Sequence, residues 1–141
     1  MHNTCKRWAA FAMLMAAAGM AAAASPKSGG VYRLKHGIYV AEGSECRAPA
    51  NAAIRSYDGK GISTAHTRAC KAKVGKRRGS VYTVAQSCID AGAGIAPRRI
   101  QHQQVTVKNS STFTQDIAGN VTTYHYCPVR QLPPELRQAA R

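Results

Sequence analysis

A run of basic side chains in the middle of the chain is the strongest chemical signal in the sequence. Six Lys and Arg residues fall within eleven positions, and no Asp or Glu interrupts them. They are Arg68, Lys71, Lys73, Lys76, Arg77 and Arg78, here called the basic cluster. Such a cluster attracts polyanions through its long-range potential and through counterion release. The opposing interpretation is a charged strand edge that prevents pairing with other chains.

Histidines combined with these cations would suit a small basic nuclease. In-line phosphoryl transfer needs one imidazole as base, a second as acid and a cation for the developing charge. No spacing brings together any two of the four histidines that follow residue 30, which are His36, His66, His102 and His125. His125 shares a predicted strand face with Cys127, so we expect it to be buried and hydrogen-bonded. A secreted nuclease is therefore the weakest of three functional hypotheses.

Carboxylates are too few and too scattered to predict a catalytic pair. Glu42 and Glu45 are three residues apart, Asp58 belongs to a predicted turn, and Asp90 and Asp116 stand alone. A glycosidase requires two carboxylates that face one bond at about 5 to 10 Å. Gly-rich phosphate loops, Gly-x-Ser-x-Gly elbows and His-Glu-x-x-His helices do not occur in the sequence. The sequence thus favours a protein that is not an enzyme, and it predicts no cofactor.

The amino-terminal residues have the pattern of a secretory signal peptide. Lys6 and Arg7 precede an apolar run from Ala9 to Ala24, which ends in an Ala-x-Ala cleavage site. The run is shorter than the roughly 20 apolar residues that a membrane-spanning helix needs, so no transmembrane segment is predicted in the mature chain. We expect export to the periplasm or the extracellular space. The predicted organisation is a signal peptide, a flexible leader and a single β-rich domain, at residues 1–24, 25–30 and 31–141.

Four cysteines follow the predicted cleavage site, and an even number in an oxidising compartment predicts two disulfides. They are Cys46, Cys70, Cys88 and Cys127. A zinc site is the alternative, but the sequence has no Cys-x-x-Cys pair and no His at ligand spacing from a Cys. No metal site is therefore predicted.

The pairing of the cysteines follows from a hairpin predicted to turn at residues 75–79. If Val74 opposes Val84, then Cys70 opposes Cys88, because antiparallel partners keep a constant sum of residue numbers. The predicted disulfides are therefore Cys70–Cys88 and Cys46–Cys127. The other connectivities of four cysteines stay open at this point.

The balance of apolar residues predicts a mostly β domain, because Val and Ile far outnumber Leu after the predicted signal peptide. The sequence Asp58-Gly59-Lys60-Gly61 is typical of a tight hairpin turn. The predicted strands cover residues 31–34, 37–41, 53–57, 62–70, 70–74, 81–88, 100–108, 112–117 and 121–127. The predicted fold is all-β, a small disulfide-linked antiparallel meander that closes into a barrel or sandwich, with a short C-terminal helix starting near residue 132.

In signal peptide, size, strand count and cysteines the chain resembles small periplasmic β-barrel proteins such as the lysozyme inhibitors of bacterial envelopes. The resemblance does not extend to any functional loop motif. Our leading hypothesis is an exported, non-enzymatic binding protein whose cationic hairpin engages an anionic envelope polymer or an acidic protein. The alternative is an inhibitor-like module whose loop enters the cleft of another enzyme, with an acidic target favoured by charge.

Nucleic acid is a less favoured partner, because stacking of bases requires exposed aromatic side chains beside the cations. After the predicted signal peptide the sequence offers Phe113 and six tyrosines. We expect Tyr82, Tyr124 and Tyr126 to point into the core, since buried tyrosine is the usual outcome on a strand face shared with apolar residues.

Overall fold

The computed structural model describes residues 28–92 and 95–140, so the predicted signal peptide lies outside the described residues. The described residues form ten strands, two 3₁₀ turns and one short helix. The strands are β1 (Ser28–Gly29), β2 (Leu34–Lys35), β3 (Gly37–Ala41), β4 (Ile54–Tyr57), β5 (Ile62–Thr64), β6 (Thr67–Arg78), β7 (Val81–Asp90), β8 (Arg98–Asn109), β9 (Thr112–Ile117) and β10 (Asn120–Tyr126). The 3₁₀ turns cover Asn51–Ala53 and Val129–Gln131, and the helix α1 covers Pro134–Arg137.

Eight strands form one antiparallel sheet in the order β5-β4-β3-β10-β9-β8-β7-β6. Although β5 and β6 stand at opposite ends of this order, they are consecutive in the chain and lie side by side. The amide of Ala72 donates to the carbonyl of Lys60 across the gap between them, at 2.8 Å. The sheet is therefore a nearly closed barrel, and the predicted all-β meander with a short C-terminal helix is confirmed.

A glutamine side chain closes the seam between β5 and β6. Gln86 on β7 is 3% exposed. Its Oε1 accepts from the amide of Ile62, and its Nε2 donates to the carbonyl of the same residue, both at 2.8 Å. These are the two hydrogen bonds that a neighbouring antiparallel strand makes with one residue. The buried amide of Gln86 thus replaces strand pairing at the seam.

The barrel interior is aromatic over much of its length. Its buried cluster consists of Tyr32, Leu34, Tyr39, Tyr57, Ile62, Tyr82, Val84, Val105, Phe113 and Tyr124. Phe113 stacks on Tyr124 with ring centroids 5.2 Å apart, and Tyr39 meets Phe113 edge to face at 5.2 Å. Such pairs contribute about 0.5 to 1.5 kcal/mol beyond their buried area. This cluster is called the aromatic end of the barrel below.

A second, smaller core lies outside the barrel wall. On β3, Ile38 and Val40 alternate with the inward Tyr39, so they point away from the barrel interior. They pack with Ile54, Cys127 and Leu132, and the helix α1 adds a partly buried Leu136. The C-terminal segment therefore covers one outer face of the sheet. None of the helices in the described part of the chain has the length and apolar character required to cross a membrane.

The first predicted hairpin is confirmed at its turn but not in its second strand. The Oδ1 atom of Asp58 accepts from the amides of Lys60 and Gly61 at 2.9 and 3.2 Å, and Gly59 has a φ of 89°. The single strand predicted over 62–70 is wrong, because β5 ends at Thr64 and the chain turns before β6 begins. The break is where the chain crosses the barrel seam.

The second predicted hairpin has the right register and the wrong turn. Val74 opposes Val84 as expected, but β6 continues to Arg78 and the turn lies at residues 79–80, not 75–79. Register shifts occur on either side of Val74, between Arg68 and Lys71 and between Val74 and Lys76. Val74 is also 39% exposed, although the Val84 that it opposes is buried.

Both predicted disulfides are present in the structure. Cys70 pairs with Cys88 with a Cα–Cα distance of 4.1 Å, and Cys46 pairs with Cys127 at 5.6 Å. The first ties β6 to β7 beside the bulge at Ala69, whose φ is 49°. The second joins the loop after β3 to the end of β10 across 81 residues of sequence.

The remaining strand predictions differ in their quality. The strands predicted at 100–108, 112–117 and 121–127 correspond to β8, β9 and β10. The predicted ends differ from the observed ends by at most two residues. The strand predicted at 31–34 is instead mostly a turn, and only Leu34–Lys35 is extended there. It pairs with Ser28–Gly29, which falls within the segment predicted as a leader.

Candidate binding surface

Most of the basic cluster lies in one line on the outside of the barrel. On β7 the even-numbered residues Tyr82, Val84 and Gln86 are buried inside, so the odd-numbered residues point outward. The β6 residues that oppose these odd-numbered positions share their outward direction. They are Arg68, Lys71, Lys73, Lys76 and Arg78, opposite Ile89, Ser87, Ala85, Thr83 and Val81. These five exposed cations are called the cationic row.

The strands beside the cationic row form a low, uncharged floor. The outward residues of β7 are small or β-branched at most positions, and those of the adjoining part of β8 are Ile100, His102, Gln104 and Thr106. The outward positions of β6, β7 and β8 carry no carboxylate. A shallow depression of about 180 Å³ lies between Lys76, Arg78 and Gln104. A linear ligand therefore meets five cations along one side and a floor without negative charge.

The cations of the row are not neutralised by ion pairs among the described residues. The ion pairs found there join Arg99 to Asp90 at 3.0 Å and His125 to Glu42 at 3.7 Å. Side chains at alternate positions of a strand repeat at about 6.6 to 6.8 Å. The steps from Arg68 to Lys71 and from Lys73 to Lys76 each include a register shift, so the row is a line of unpaired positive charges facing water with unequal spacing.

Arg77 does not belong to this row. It opposes the inward Tyr82, and its guanidinium lies over that ring, 4.9 Å from the centroid. Its Nε donates to the carbonyl of Gly79 at 3.0 Å. Together with Arg33 and Lys108 it lines a groove of about 350 Å³ at the end of the barrel. The six residues of the basic cluster therefore divide between two faces.

Arg33 and Lys108 carry no sequence signal that links them to the basic cluster, because they are separated from it by about 30 or more positions. The tertiary structure brings them beside Arg77. Another cation missed from the sequence is Arg98 on β8. It donates from Nη2 to the carbonyl of Ala69 at 2.6 Å and from Nε to the Oγ of Ser87 at 2.8 Å, which fastens the bulge at one end of the row.

His125 is exposed, so the prediction of a buried histidine is wrong. Its side chain is 48% exposed, with Nε2 3.7 Å from Glu42 and Nδ1 3.5 Å from the Oγ1 of Thr112. It lies between Tyr124 and Tyr126 on β10, whose side chains take the inner face. The face that His125 shares with Cys127 is the outer one, because Cys127 lies just beyond β10 and packs in the outer core.

The other histidine with a defined environment is structural. His36 is half-buried, with Nε2 3.3 Å from the carbonyl of Gly29 and its ring edge-on to Tyr57 at 5.4 Å. A Cβ on Gly59 would lie 2.8 Å from the same ring, so the glycine is required by this contact as well as by its φ. No group of three or more His, Cys, Asp or Glu side chains in the described ranges is arranged to hold a metal ion.

The tyrosines occupy the interior rather than the binding surface. Tyr82 and Tyr124 are each 3% exposed and Tyr126 is partly buried against the same cluster, which confirms their predicted direction. The outward positions of β6, β7 and β8 hold no aromatic residue. The cationic row accordingly lacks a surface on which bases could stack.

Comparisons of the chain with protein-family models, with curated proteins and with solved structures find no match. The binding chemistry of this surface is therefore inferred from the structure of this chain alone. Its defining features are five outward cations on one edge strand, the absence of carboxylates beside them and the separate placement of Arg77.

Proposed function

We propose that this protein is an exported, non-enzymatic binding protein that holds an anionic polymer of the cell envelope along the cationic row. The observation that carries the proposal is the line of five unpaired cations on β6 beside a carboxylate-free floor. Each cation that neutralises a charge of the polymer releases a counterion, which makes binding favourable at low salt.

The length of the row favours a polymer over a compact anion. From Arg68 to Arg78 the strand advances by about 30 Å at the usual rise per residue. A compact anion would reach one or two of these cations, whereas a chain with repeating negative charges can reach all five. The small side chains of Ser87 and Ala85 in the adjoining line allow such a chain to approach closely.

Export is supported by the two disulfides and by the predicted signal peptide. Disulfides persist in oxidising compartments and are rare where thiols are kept reduced. The bond between Cys46 and Cys127 closes a long loop, and bonds of this kind contribute about 2 to 4 kcal/mol by restricting the unfolded chain. In the envelope, polymers with phosphate or carboxylate groups are the partners that match the row.

An inhibitor-like module is the second candidate, and one observation favours it. Every residue of β6 from Lys73 to Arg78 is exposed. Near the turn of the hairpin, Arg77 contacts the ring of Tyr82 and donates to the carbonyl of Gly79. A rigid cationic hairpin could enter an acidic cleft with little loss of entropy.

A charge-matched pair of triple variants tests the proposal. The row variant is Lys71→Ser, Lys73→Ser and Lys76→Ser. The control variant is Arg33→Ser, Arg77→Ser and Lys108→Ser, which removes the same charge from the groove at the barrel end. Exposed substitutions usually change stability by less than about 0.5 kcal/mol each, so both variants should fold.

Affinity for polyphosphate and for polygalacturonate is measured at several salt concentrations. We expect the row variant to bind at least about tenfold more weakly at low salt, with a slope of log K against log salt shallower by about 2, because three contacts are lost. The control variant should keep most of the affinity. Equal losses in both variants would show attraction by total charge alone and overturn the assignment to the row.

Three further outcomes would also overturn the proposal. Unchanged affinity with increased self-association of the row variant in sedimentation would show that the cations protect the strand edge. Tighter binding to single-stranded DNA than to either envelope-type polymer would indicate a nucleic acid partner. Stronger dependence on Arg77 than on the row, with an acidic protein as ligand, would favour the inhibitor-like function.

A further inference from the structure

The barrel interior opposite the aromatic end contains a polar cavity. It has a volume of about 230 Å³ and opens between the ends of β5 to β9 that lie away from the β6–β7 turn. Its lining includes Thr64, Thr67, Asp90, Arg99, Gln101 and Gln115. Ile117 is the one large apolar side chain in this lining. The cavity is on the inner face of the wall, so it is distinct from the cationic row on the outer face.

Buried polar groups extend from the cavity into the barrel. Gln115 is 3% exposed; its Nε2 donates to the Oε1 of Gln103, and its Oε1 accepts from the Nε of Arg55 at 2.9 Å. The Arg55 guanidinium lies over the ring of Tyr124, 4.7 Å from its centroid. Burial lowers the pKa of Arg55 from its ordinary value. The interior therefore holds a charge and two amides where an apolar filling would be easier to bury.

One of these amides is left without a partner. The Nε2 of Gln103 is buried and has no hydrogen-bond partner among the described residues. An unsatisfied buried donor costs about 1 to 3 kcal/mol, so most native interiors avoid it. A small barrel that keeps polar groups at one end, at this cost, has the character of a ligand site at a barrel mouth.

The rim of the cavity presents both signs of charge. The Nε of Arg99 lies 3.0 Å from the Oδ2 of Asp90, and both side chains remain partly exposed. This contact uses one of the five N–H groups of the guanidinium and one of the two carboxylate oxygens. The remaining donors of Arg99 suit a carboxylate, and the remaining oxygen of Asp90 suits an ammonium group.

We propose that this polar cavity binds a small zwitterion of the α-amino acid class, with its carboxylate on Arg99, its ammonium group on Asp90 and its side chain toward Gln101 and Gln115. The volume is below the range of about 300 to 1,000 Å³ typical of drug-sized ligands, so the ligand is small. Asp90 disfavours a simple anion, Arg99 disfavours a simple cation, and the lining offers no aromatic face for a sugar ring.

Backbone amide NMR titration of the disulfide-bonded protein tests the site with four probes. L-Glutamine and L-alanine are zwitterions; propionate matches alanine without the ammonium group, and ethylamine matches it without the carboxylate. We expect both amino acids to shift the signals of Asp90, Arg99 and Gln101. L-Glutamine should bind more tightly than L-alanine, because its side-chain amide can hydrogen-bond to Gln101 and Gln115. Propionate and ethylamine should each bind at least about tenfold more weakly than L-alanine.

Two variants and one control place the binding on the rim. Arg99→Gln and Asp90→Asn should each weaken amino acid binding about tenfold or more, since each removes a charge-assisted hydrogen bond. Both side chains are exposed enough that the ion pair adds little to stability, so the variants should fold. Lys73→Gln removes a cation from the cationic row and should leave amino acid binding unchanged.

The proposal is overturned if neither amino acid shifts these signals at millimolar concentration. It is also overturned if propionate binds as well as L-alanine, which would show a plain anion site, or if both rim variants bind as the parent does. Polymer binding by the row is measured on the same variants. Because the rim variants leave the row intact, failure of either proposal is visible without failure of the other.

Discussion

The two ends of the barrel interior have opposite chemistry within one continuous wall. At the aromatic end, the rings of Tyr39, Phe113 and Tyr124 pack against one another and fill the space. At the other end, Gln103 and Gln115 occupy the equivalent inward positions of β8 and β9. The rings at the aromatic end bury apolar area, which stabilises the fold, whereas the amides at the other end bury polar groups at a cost in stability.

The hydroxyl group of Tyr57 at the aromatic end has a structural role, whereas the buried Oη of Tyr32 has no hydrogen-bond partner among the described residues. The Oη of Tyr57 donates to the carbonyl of Tyr32 at 2.8 Å or that of Gly29 at 2.7 Å, and it accepts from the amide of Tyr32 at 2.9 Å. It thereby holds the segment before β3 over the end of the barrel. A tyrosine can bury its ring and still satisfy backbone groups, which a phenylalanine cannot.

The largest expected effect is alkaline unfolding that begins at the aromatic end. Burial raises the pKa of Tyr57 from 10.0 to about 12, and it raises the pKa of Tyr32 and Tyr39 as well. Because the folded state favours the neutral phenols, their contribution to stability is complete below pH 10 and decreases above it, for Tyr57 as the pH rises from 10 to about 12. Tyrosinate absorbance and circular dichroism should change together in this range.

A titration in denaturant serves as the control, since all tyrosines should then ionise near their ordinary pKa. If the buried tyrosines of the folded protein ionised at that same pH without loss of circular dichroism, the aromatic end would be open to water. The contrast between the two ends would then not hold.

An intermediate effect is expected at the seam, where a polar residue does have a structural role. Gln86→Leu removes both hydrogen bonds to Ile62 and leaves a buried N–H and C=O without partners. We expect a loss of about 1 to 3 kcal/mol in the free energy of unfolding, measured by denaturant titration. Gln104→Leu, on the outer face of β8, is the matched control and should stay within about 0.5 kcal/mol of the parent. Similar stabilities for the two variants would show that the seam does not depend on Gln86.

The smallest effect is expected for Gln103→Leu. The substitution removes the unpartnered Nε2, which favours folding, but it also removes the acceptor for Gln115, which opposes folding. These changes offset each other, so we expect a change within about 1 kcal/mol in either direction. Gln115→Leu should cost more, because it leaves the Nε of the half-buried Arg55 without its acceptor. A loss for Gln103→Leu as large as that for Gln86→Leu would mean that the polar end is packed for stability.

The sequence was sufficient where a feature depends on neighbours along the chain. The turn at Asp58 and Gly59 follows from local hydrogen bonding and a positive φ, and the strands β8 to β10 follow from runs of β-forming residues between turn residues. The pairing of Cys70 with Cys88 also follows from local geometry, since both belong to one hairpin. Once this pair is known, the second disulfide is fixed by elimination.

The predictions failed where the direction of a side chain depends on strands that are distant in sequence. The direction of Arg77 depends on a register shift after Val74, which alternation alone does not reveal. The exposure of His125 depends on which face of β10 meets the barrel interior. The roles of Gln86, Gln103 and Gln115 had no sequence signal, because a glutamine in a strand is usually exposed.

The sequence by itself determined an all-β chain with two disulfides and a concentrated positive charge, because β-branched residues, turn residues and cysteine parity act over short distances. The tertiary structure decided that the sheet closes, that five of six cations share one outward line, and that polar side chains gather at one end of the interior. Closure brings β5 against β6 and selects one face of every strand as inner. That selection depends on the whole sheet, so no local pattern of residues specifies it.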